Sequence, residues 1–232
     1  GRIDRALWAW LDRLTTLRIR LNDTTAAAGL QVVTIPHGDY RDWYAPFPHA
    51  ERLPGRVAYA GLVREYKGVD ALMGAFLGID DPDVSLSITG RAANDEAAAA
   101  VRSSAHDDPR VLFDLRYVDD ADLVNALTRA ALVALPYRHF HNSGTVLAAL
   151  SLDRPVLVPD TEVTRRLAEE VGDEWVLRYS GDLTSADLAD ALADAAKLSE
   201  DAAPDLSRRG WATAGAAHAE AFRLAVRLRR GR

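Results

Sequence analysis

The residues with the clearest chemical potential follow a short apolar run that ends at Pro136. The loop after it contains His139 and His141 and closes in a polar turn of four residues: Asn142, Ser143, Gly144 and Thr145. Ser143 can cap a helix, and Gly144 would let the backbone approach a ligand closely. Free amide groups and the positive end of a helix dipole at such a turn favour a phosphate site. An ordinary capped helix is the alternative.

A second loop carries two cations close to the start of another predicted helix. Arg64 and Lys67 lie between Gly61, which ends an apolar run, and Gly68, which leads into a helical pattern. Charge-assisted hydrogen bonds from two such cations suit a diphosphate, although two solvated charges in a turn would give the same sequence. The GxGxxG and Walker A patterns are absent, so neither fingerprint of nucleotide binding is present.

The regular pattern that must position these loops begins near residue 56. Apolar strand candidates at 57–60, 84–89, 111–115, 131–135, 155–158 and 175–179 alternate with helix candidates at 69–77, 95–104, 120–130, 143–152 and 161–171. Alternation of this kind predicts an α/β fold with a Rossmann-like, doubly wound parallel sheet. Ligands of such sheets bind beyond the carboxyl ends of the strands, which is where the polar, glycine-bearing loops are expected.

The flanking sequence predicts helical N- and C-terminal extensions. A helix over 2–17, short strands at 17–21 and 31–35, an irregular linker at 40–54, and helices at 184–198 and 205–230 are expected. The last helix should be interrupted near Gly210 and Gly215. Its end alternates arginines with apolar residues: Phe222, Arg223, Leu224, Val226, Arg227, Leu228, Arg229, Arg230 and Arg232. We expect either weak peripheral contact with an anionic membrane surface or a solvated helical end.

Composition excludes several classes of protein. The 232 residues contain no cysteine, which rules out disulfides and thiolate metal sites. The net charge of −6 argues against nucleic acid as a partner, and no apolar run is long enough for a membrane span. The first residues lack an apolar signal core and an initiator Met, so the chain reads as starting within a protein. We expect it in the cytoplasm, with the inner membrane surface as the place of any membrane contact.

Five stretches resemble, in order and spacing, the C-terminal nucleotide-sugar-binding domain of GT-B-fold glycosyltransferases of the retaining, glycogen-synthase-like, group 1 type. They lie within about residues 31–200: VVTIPHGDY, VAYAGLVREYKGVDALMGAF, VSLSITGR, VLFDLRYVDDADLVNALTRAALVALP and PYRHFHNSGTVLAALSLDRPVLVPD. The resemblance implies transfer of a sugar from a nucleoside-diphosphate sugar to an acceptor that the sequence does not identify. It implies no cofactor besides that donor, and we expect no metal site.

The resemblance also implies roles for particular residues. Lys67 matches a lysine that contacts the donor diphosphate, and Arg64 replaces an arginine whose usual place is taken by Leu62. The turn of Asn142, Ser143, Gly144 and Thr145 matches the turn that holds the diphosphate and sugar. The residues matching the loop whose backbone reads the nucleobase are Arg116, Tyr117 and Val118.

One departure concerns two glutamates that the family places eight residues apart. Phe140 and Ala148 stand at these positions, so neither carboxylate role can be transferred and no catalytic residue is assigned. His139 and His141 flank the first position and are expected to contact the sugar. Surface or core histidines are the alternative, and the His-x-His spacing by itself is weak support for a metal.

The resemblance divides the chain into three parts. Residues 1–50 would be the end of an N-terminal domain with a linker, 51–200 the nucleotide-sugar-binding domain, and 201–232 a C-terminal helical segment. Most of the N-terminal domain would then be supplied by sequence missing from this chain. A nucleotide-sugar epimerase of the same fold and a non-catalytic nucleotide-sugar-binding module are the alternative functions.

Overall fold

The computed structural model describes residues 2–24 and 31–231, with side chains from residue 6 onward. The elements, in chain order, are α1 Arg2–Leu14, β1 Leu17–Arg20, β2 Gln31–Thr34, α2 Arg41–Tyr44, β3 Arg56–Ala60, α3 Val69–Leu77, β4 Ser85–Thr89, α4 Asp95–Ser103, β5 Val111–Asp114, α5 Asp120–Thr128, β6 Leu132–Ala134, α6 Gly144–Ser151, β7 Val156–Pro159, α7 Glu162–Val171, β8 Val176–Tyr179, α8 Ser185–Ala195 and α9 Trp211–Arg230. They form two compact units, Tyr40–Leu206 and Gly1–Asp39 with Ser207–Arg232.

The larger unit contains a six-stranded sheet in the order β5-β4-β3-β6-β7-β8, and every neighbouring pair is parallel. This order confirms the predicted doubly wound Rossmann-like sheet, because the chain winds outward from β3 in one direction and from β6 in the other. Residues 57–60 of β3 are all buried, as expected for a strand with helices against both faces. The strand order reverses between β3 and β6.

Local capping fixes where several helices of this unit begin. The side chains of Asn94, Asp119 and Thr161 each accept a hydrogen bond from an amide three residues later, and Ser143 does the same for Val146. These bonds satisfy amides that have no partner within the helix. Helix α6 is the most enclosed of the four, since its residues 146–151 are all buried.

The smaller unit pairs β1 with β2 in parallel and packs part of α9 over Ile35. Helix α1 forms but ends at Leu14, three residues before the predicted end, and the following apolar side chains on it are exposed: Leu7, Trp8, Trp10, Leu11 and Leu14. Among the described residues, none of the helices combines the length and apolar character that crossing a bilayer would require.

Two predictions of local structure are wrong. The predicted linker 40–54 contains helix α2, which is held in place because the Tyr40 amide donates to Ser151 Oγ (2.8 Å) and Arg41 pairs with Asp153 (2.9 Å). Helix α9 continues through Gly215, where a side chain would meet open space, and only Gly210 marks a boundary. The prediction for Arg232 lies outside the described residues.

Candidate functional site

The two loops singled out by sequence follow the two central strands of the sheet. The loop at 61–68 follows β3, and the loop at 135–143 follows β6. Because β3 and β6 are parallel neighbours, both loops leave the sheet on the same side, at the carboxyl ends of the strands. This is the point where the strand order reverses, which is the usual ligand site of a doubly wound sheet.

Backbone contacts join these loops directly. Gly68 adopts the left-handed conformation (φ 68°), and a Cβ there would lie 2.0 Å from the carbonyl oxygen of Pro136. The amide of Arg138 donates to the carbonyl of Tyr66 at 3.0 Å. The Arg138 side chain pairs with Asp70 and, at 3.6 Å, with Glu65. The loops are therefore positioned by one another.

Lys67 and Arg64 bring positive charge to this junction. The Lys67 ammonium lies 3.5 Å from the centroid of the Tyr137 ring and 5.4 Å from that of Tyr66. The Arg64 side chain is exposed, at the start of the 3₁₀ turn Glu65–Lys67. Within the described part of the chain, neither cation forms an ion pair with an acidic side chain. Both charges are thus available to an anion.

The predicted turn forms the start of α6 beside these cations. Ser143 is its N-cap, with Oγ 3.3 Å from the Val146 amide, and this hydroxyl also lies 3.5 Å from the Tyr137 hydroxyl. The first residues of a helix present amides that have no intrahelical partner, here those of Gly144 and Thr145. The Thr145 hydroxyl lies 3.7 Å from the position of a Cβ on Gly61, so the turn also approaches the end of β3.

Sequence reasoning missed an aromatic segment at this edge of the sheet. The Tyr40 hydroxyl lies 3.2 Å from the position that a Cβ on Gly144 would occupy, and the rings of Tyr40 and Tyr44 stack at 5.4 Å. Trp43 donates its indole N–H to Asp120 at 2.9 Å. The sequence offered only a weak signal, a cluster of aromatic residues within a proline-bearing stretch.

Burial raises the pKa of three tyrosines near these loops. It is the main cause that raises the pKa of Tyr40, and with the nearby Asp120 carboxylate it raises the pKa of Tyr44 to about 12. Burial raises the pKa of Tyr59, whose hydroxyl donates to the Leu62 carbonyl at 2.8 Å. All three hydroxyls are therefore protonated at neutral pH and can donate hydrogen bonds.

The loop expected to read the nucleobase follows β5, which is an outermost strand of the sheet. Arg116 bridges Asp114 at 3.0 Å and Asp122 at 2.6 Å, which raises the pKa of its guanidinium, chiefly through the bond to Asp122. Tyr117 is 75% exposed, and Val118 is half-buried. The structure thus commits the Arg116 side chain to carboxylates and leaves Tyr117 open to solvent.

His139 and His141 are both exposed and flank the buried Phe140. The Phe140 ring stacks against Tyr137 at 5.8 Å, and Ala148 is 2% exposed within α6. The two positions at which the family has glutamates therefore belong to the hydrophobic core. Among the described residues, no group of three or more His, Asp or Glu side chains is placed to hold a metal ion.

A cavity of about 390 Å³ lies at the other end of the strands, where several of them begin. Its lining includes Gly55, Val84 and Ala131, each of which immediately precedes a strand, and alanines of α8. It is lined mainly by apolar side chains and contains none of the predicted site residues.

At the carboxyl ends of the strands, by contrast, the two cations and the start of α6 form an arrangement that can bind an anion such as a diphosphate.

Comparisons with known proteins concern the family and the fold of the chain. Residues 54–197 match the family model described as glycosyl transferases group 1. Two curated sequences from Xanthomonas campestris, both called GDP-mannose:glycolipid 4-beta-D-mannosyltransferase, are 41% identical over 215 residues. That alignment covers 93% of this chain and 62% of each relative, so the chain spans less than two thirds of their length.

Two solved structures show the similarity of fold. The sucrose-phosphate synthase of Thermosynechococcus elongatus aligns with a TM-score of 0.57 at 19% identity, over 92% of this chain and 58% of its own. The Anabaena protein Alr3699/HepE, solved with UDP and glucose, aligns with a TM-score of 0.60 at 17% identity, over 98% of this chain and 64% of its own. At these identities the likeness concerns the fold.

Proposed function

Because the chain belongs to the glycosyl transferases group 1 family, we propose that it is the donor-binding part of an enzyme that transfers a sugar from a nucleoside-diphosphate sugar. The observation that carries the proposal is the junction of the two central loops. Lys67 and Arg64 lie on the loop after β3, and backbone contacts join that loop to the loop leading into α6. Within the described residues neither cation forms an ion pair.

In this proposal the diphosphate is the leaving group, and its negative charge increases as the bond to the sugar breaks. Arg64 and Lys67 stabilise that charge together with the amides of Gly144 and Thr145 and the hydroxyls of Ser143 and Thr145. Fixed donors aimed at a developing charge are an effective form of catalysis. They can act here without a metal ion. Asn142 belongs to the same diphosphate-binding turn in this proposal, and the exposed His139 and His141 would contact the donor sugar.

The donor and acceptor classes are proposed from the curated relatives. Their printed name specifies GDP-mannose and a glycolipid, so we propose guanosine diphosphate as the leaving group and a lipid-linked sugar as the acceptor. Backbone groups of residues 116–118 would read the base. No residue is proposed for the two carboxylate roles, because Phe140 and Ala148 stand at those positions and both are buried. No observation favours the epimerase.

The proposal includes a second domain and a membrane surface. Further sequence is expected because the chain spans 62% of the relatives' length. Peripheral contact with anionic lipid is supported by the basic last turn of α9 and by the exposure of Phe222 (63%) and Val226 (51%). Sedimentation with phosphatidylglycerol vesicles should deplete the chain from solution, and Arg227→Glu should reduce that depletion. Equal sedimentation with neutral vesicles would contradict the charge-based contact.

Calorimetric titration of the folded chain with GDP, UDP and ADP tests donor binding. At least one should bind, and Lys67→Ala should weaken that binding by tenfold or more, which is about 1.4 kcal/mol. Lys197→Ala is the matched control, because Lys197 is 75% exposed, follows the end of α8 and pairs with Asp194 in the last turn of that helix, outside the predicted site. Absence of binding to all three would refute the proposal for this chain.

Sugar transfer separates an enzyme from a non-catalytic binding module. The parent protein should release GDP from GDP-mannose when a lipid-linked acceptor is added, and Lys67→Ala should abolish most of that release. Donor binding without any transfer would favour the module.

A further inference from the structure

Tyr137 contacts both halves of the proposed diphosphate site. Its ring lies 3.5 Å below the Lys67 ammonium, and its hydroxyl accepts from Ser143 Oγ at 3.5 Å. The ring stacks on Phe140 with an interplanar angle of 27° and is itself only 4% exposed. The residue thus lies between a cation from the β3 loop and the cap of α6, and its own orientation is fixed by packing.

We propose that Tyr137 is a positioning residue that holds the Lys67 ammonium and the Ser143 hydroxyl in place for the donor diphosphate. This inference rests on the proposed function and extends it to a residue to which the family resemblance gives no role. Tyr137 acts through its neighbours, since its buried ring supports Lys67 from below.

The chemistry of the support matters for an anion site. The face of an aromatic ring attracts a cation through its quadrupole and does not carry a formal charge. A carboxylate in the same place would neutralise Lys67 and compete with the diphosphate. The Tyr137 ring, held by its stack with Phe140, therefore supports Lys67 without pairing it with a carboxylate. It also limits the freedom of a long side chain that would otherwise be ordered only by the ligand.

The backbone at Tyr137 is fixed independently of the ring. Its amide donates to the Leu135 carbonyl at 2.9 Å, and the next amide, of Arg138, donates to Tyr66 at 3.0 Å. Substitutions of the side chain should therefore leave the course of the loop unchanged. Tyr137→Phe keeps the ring face and removes the hydroxyl, whereas Tyr137→Leu removes both. The two substitutions separate the effect on Lys67 from the effect on Ser143.

The experiment measures binding of whichever of GDP, UDP and ADP the wild-type chain binds most tightly, and of its monophosphate. Tyr137→Leu should weaken diphosphate binding at least tenfold and monophosphate binding less. Tyr137→Phe should lose no more than about threefold. In the Tyr137→Leu background, Lys67→Met should have a much smaller effect than in the wild type, because the two residues act together. Tyr66→Leu is the control and should weaken diphosphate binding less than Tyr137→Leu does, since the Tyr66 ring is 5.4 Å from the same ammonium and the Tyr137 ring is 3.5 Å from it.

Melting temperatures of all variants accompany the titrations. If Tyr137→Leu does not fold, the cycle of Tyr137→Phe with Ser143→Ala takes its place, and it should show coupling in diphosphate affinity. Two results would overturn the positioning role while leaving the proposed function in place, provided that the wild-type chain binds a nucleoside diphosphate. The first is that Tyr137→Leu and Lys67→Met have additive effects on diphosphate affinity. The second is that a folded Tyr137→Leu binds the diphosphate as tightly as the wild type. A wild-type chain that binds no nucleoside diphosphate would overturn this inference together with the proposed function.

Discussion

The backbone of Gly68 lies against the carbonyl oxygen of Pro136, where the two central loops meet. A Cβ at residue 68 would be 2.0 Å from that oxygen, and the φ of +68° already lies in the left-handed region. The contact places the turn that carries Lys67 beside the loop that leads to α6. A glycine is required on both grounds, space and backbone conformation.

Gly68→Ala should therefore disturb both stability and donor binding. The left-handed backbone alone costs about 1 kcal/mol for a residue with a Cβ, and the clash with Pro136 adds to it. Denaturant unfolding and calorimetric titration measure the two effects. Gly74→Ala is the matched control, because Gly74 lies within α3 with open space around it and should gain about 0.5–1 kcal/mol in helix stability. Equal stability of the two variants would contradict the close contact.

Gly144→Val tests whether the start of α6 binds the donor. The new Cβ would lie 3.2 Å from the Tyr40 hydroxyl and beside the amides proposed for the diphosphate. We expect affinity for a nucleoside diphosphate to fall more than tenfold, or about 1.4 kcal/mol. The melting temperature should change little, because the φ of Gly144 is outside the left-handed region. Tyr40→Phe added to Gly144→Val shows whether crowding of that hydroxyl contributes.

Ser143→Ala removes the N-cap of α6 and should lower the free energy of unfolding by about 1 kcal/mol. It should also weaken diphosphate binding, because the hydroxyl that lies 3.3 Å from the Val146 amide is proposed to contact the ligand. An ordinary helix cap predicts the stability loss alone. Titration and thermal unfolding of the same preparation decide between a ligand-binding hydroxyl and an ordinary cap. Asn94→Ala removes the cap of α4 and is the control for a cap lost away from the site.

Ala148→Glu places a carboxylate at one of the positions where the family has glutamate. Because Ala148 is 2% exposed, the charged form would be buried without a partner and should cost about 2 kcal/mol or more at pH 7. Burial raises the pKa of such a group, so the penalty relative to Ala148→Gln should shrink as the pH falls toward about 4. Denaturant titrations of the two variants across pH measure it. A fully stable Ala148→Glu would show that this position opens onto the site.

Asp108 should stabilise the fold in a pH-dependent way. The side-chain hydrogen bonds from Arg110, followed by the bond from the Arg110 amide, hold the pKa of the Asp108 carboxyl below its usual value. A depressed pKa in the folded state means that the stabilisation is present above the unfolded value, about 3.9, and disappears as the pH falls through the folded value. Asp108→Asn should cost about 1 kcal/mol at pH 7 and progressively less below pH 4. A penalty independent of pH would contradict this assignment.

The sequence by itself determined the elements of the larger unit and their order. Its strands are buried on both faces, so they read as apolar runs, and capping residues such as Ser143 and Asn94 mark helix starts through local bonds. Alternation of strands and helices then limits the topology to parallel βαβ units. The order and spacing of the loop motifs carried the family resemblance. These signals are available because each depends on residues that are close in sequence.

Only the tertiary structure decided which distant residues meet. Helix α2 was missed because it depends on bonds from Tyr40 and Arg41 to Ser151 and Asp153, over a hundred residues away. The contact of Lys67 with Tyr137 depends on the pairing of β3 with β6, and the burial of Ala148 depends on how α6 packs. The exposed apolar face of α1 was not evident either, because a helical pattern does not specify its partner. Contacts of this kind arise from strand order and side-chain packing, and neither is encoded in the local sequence.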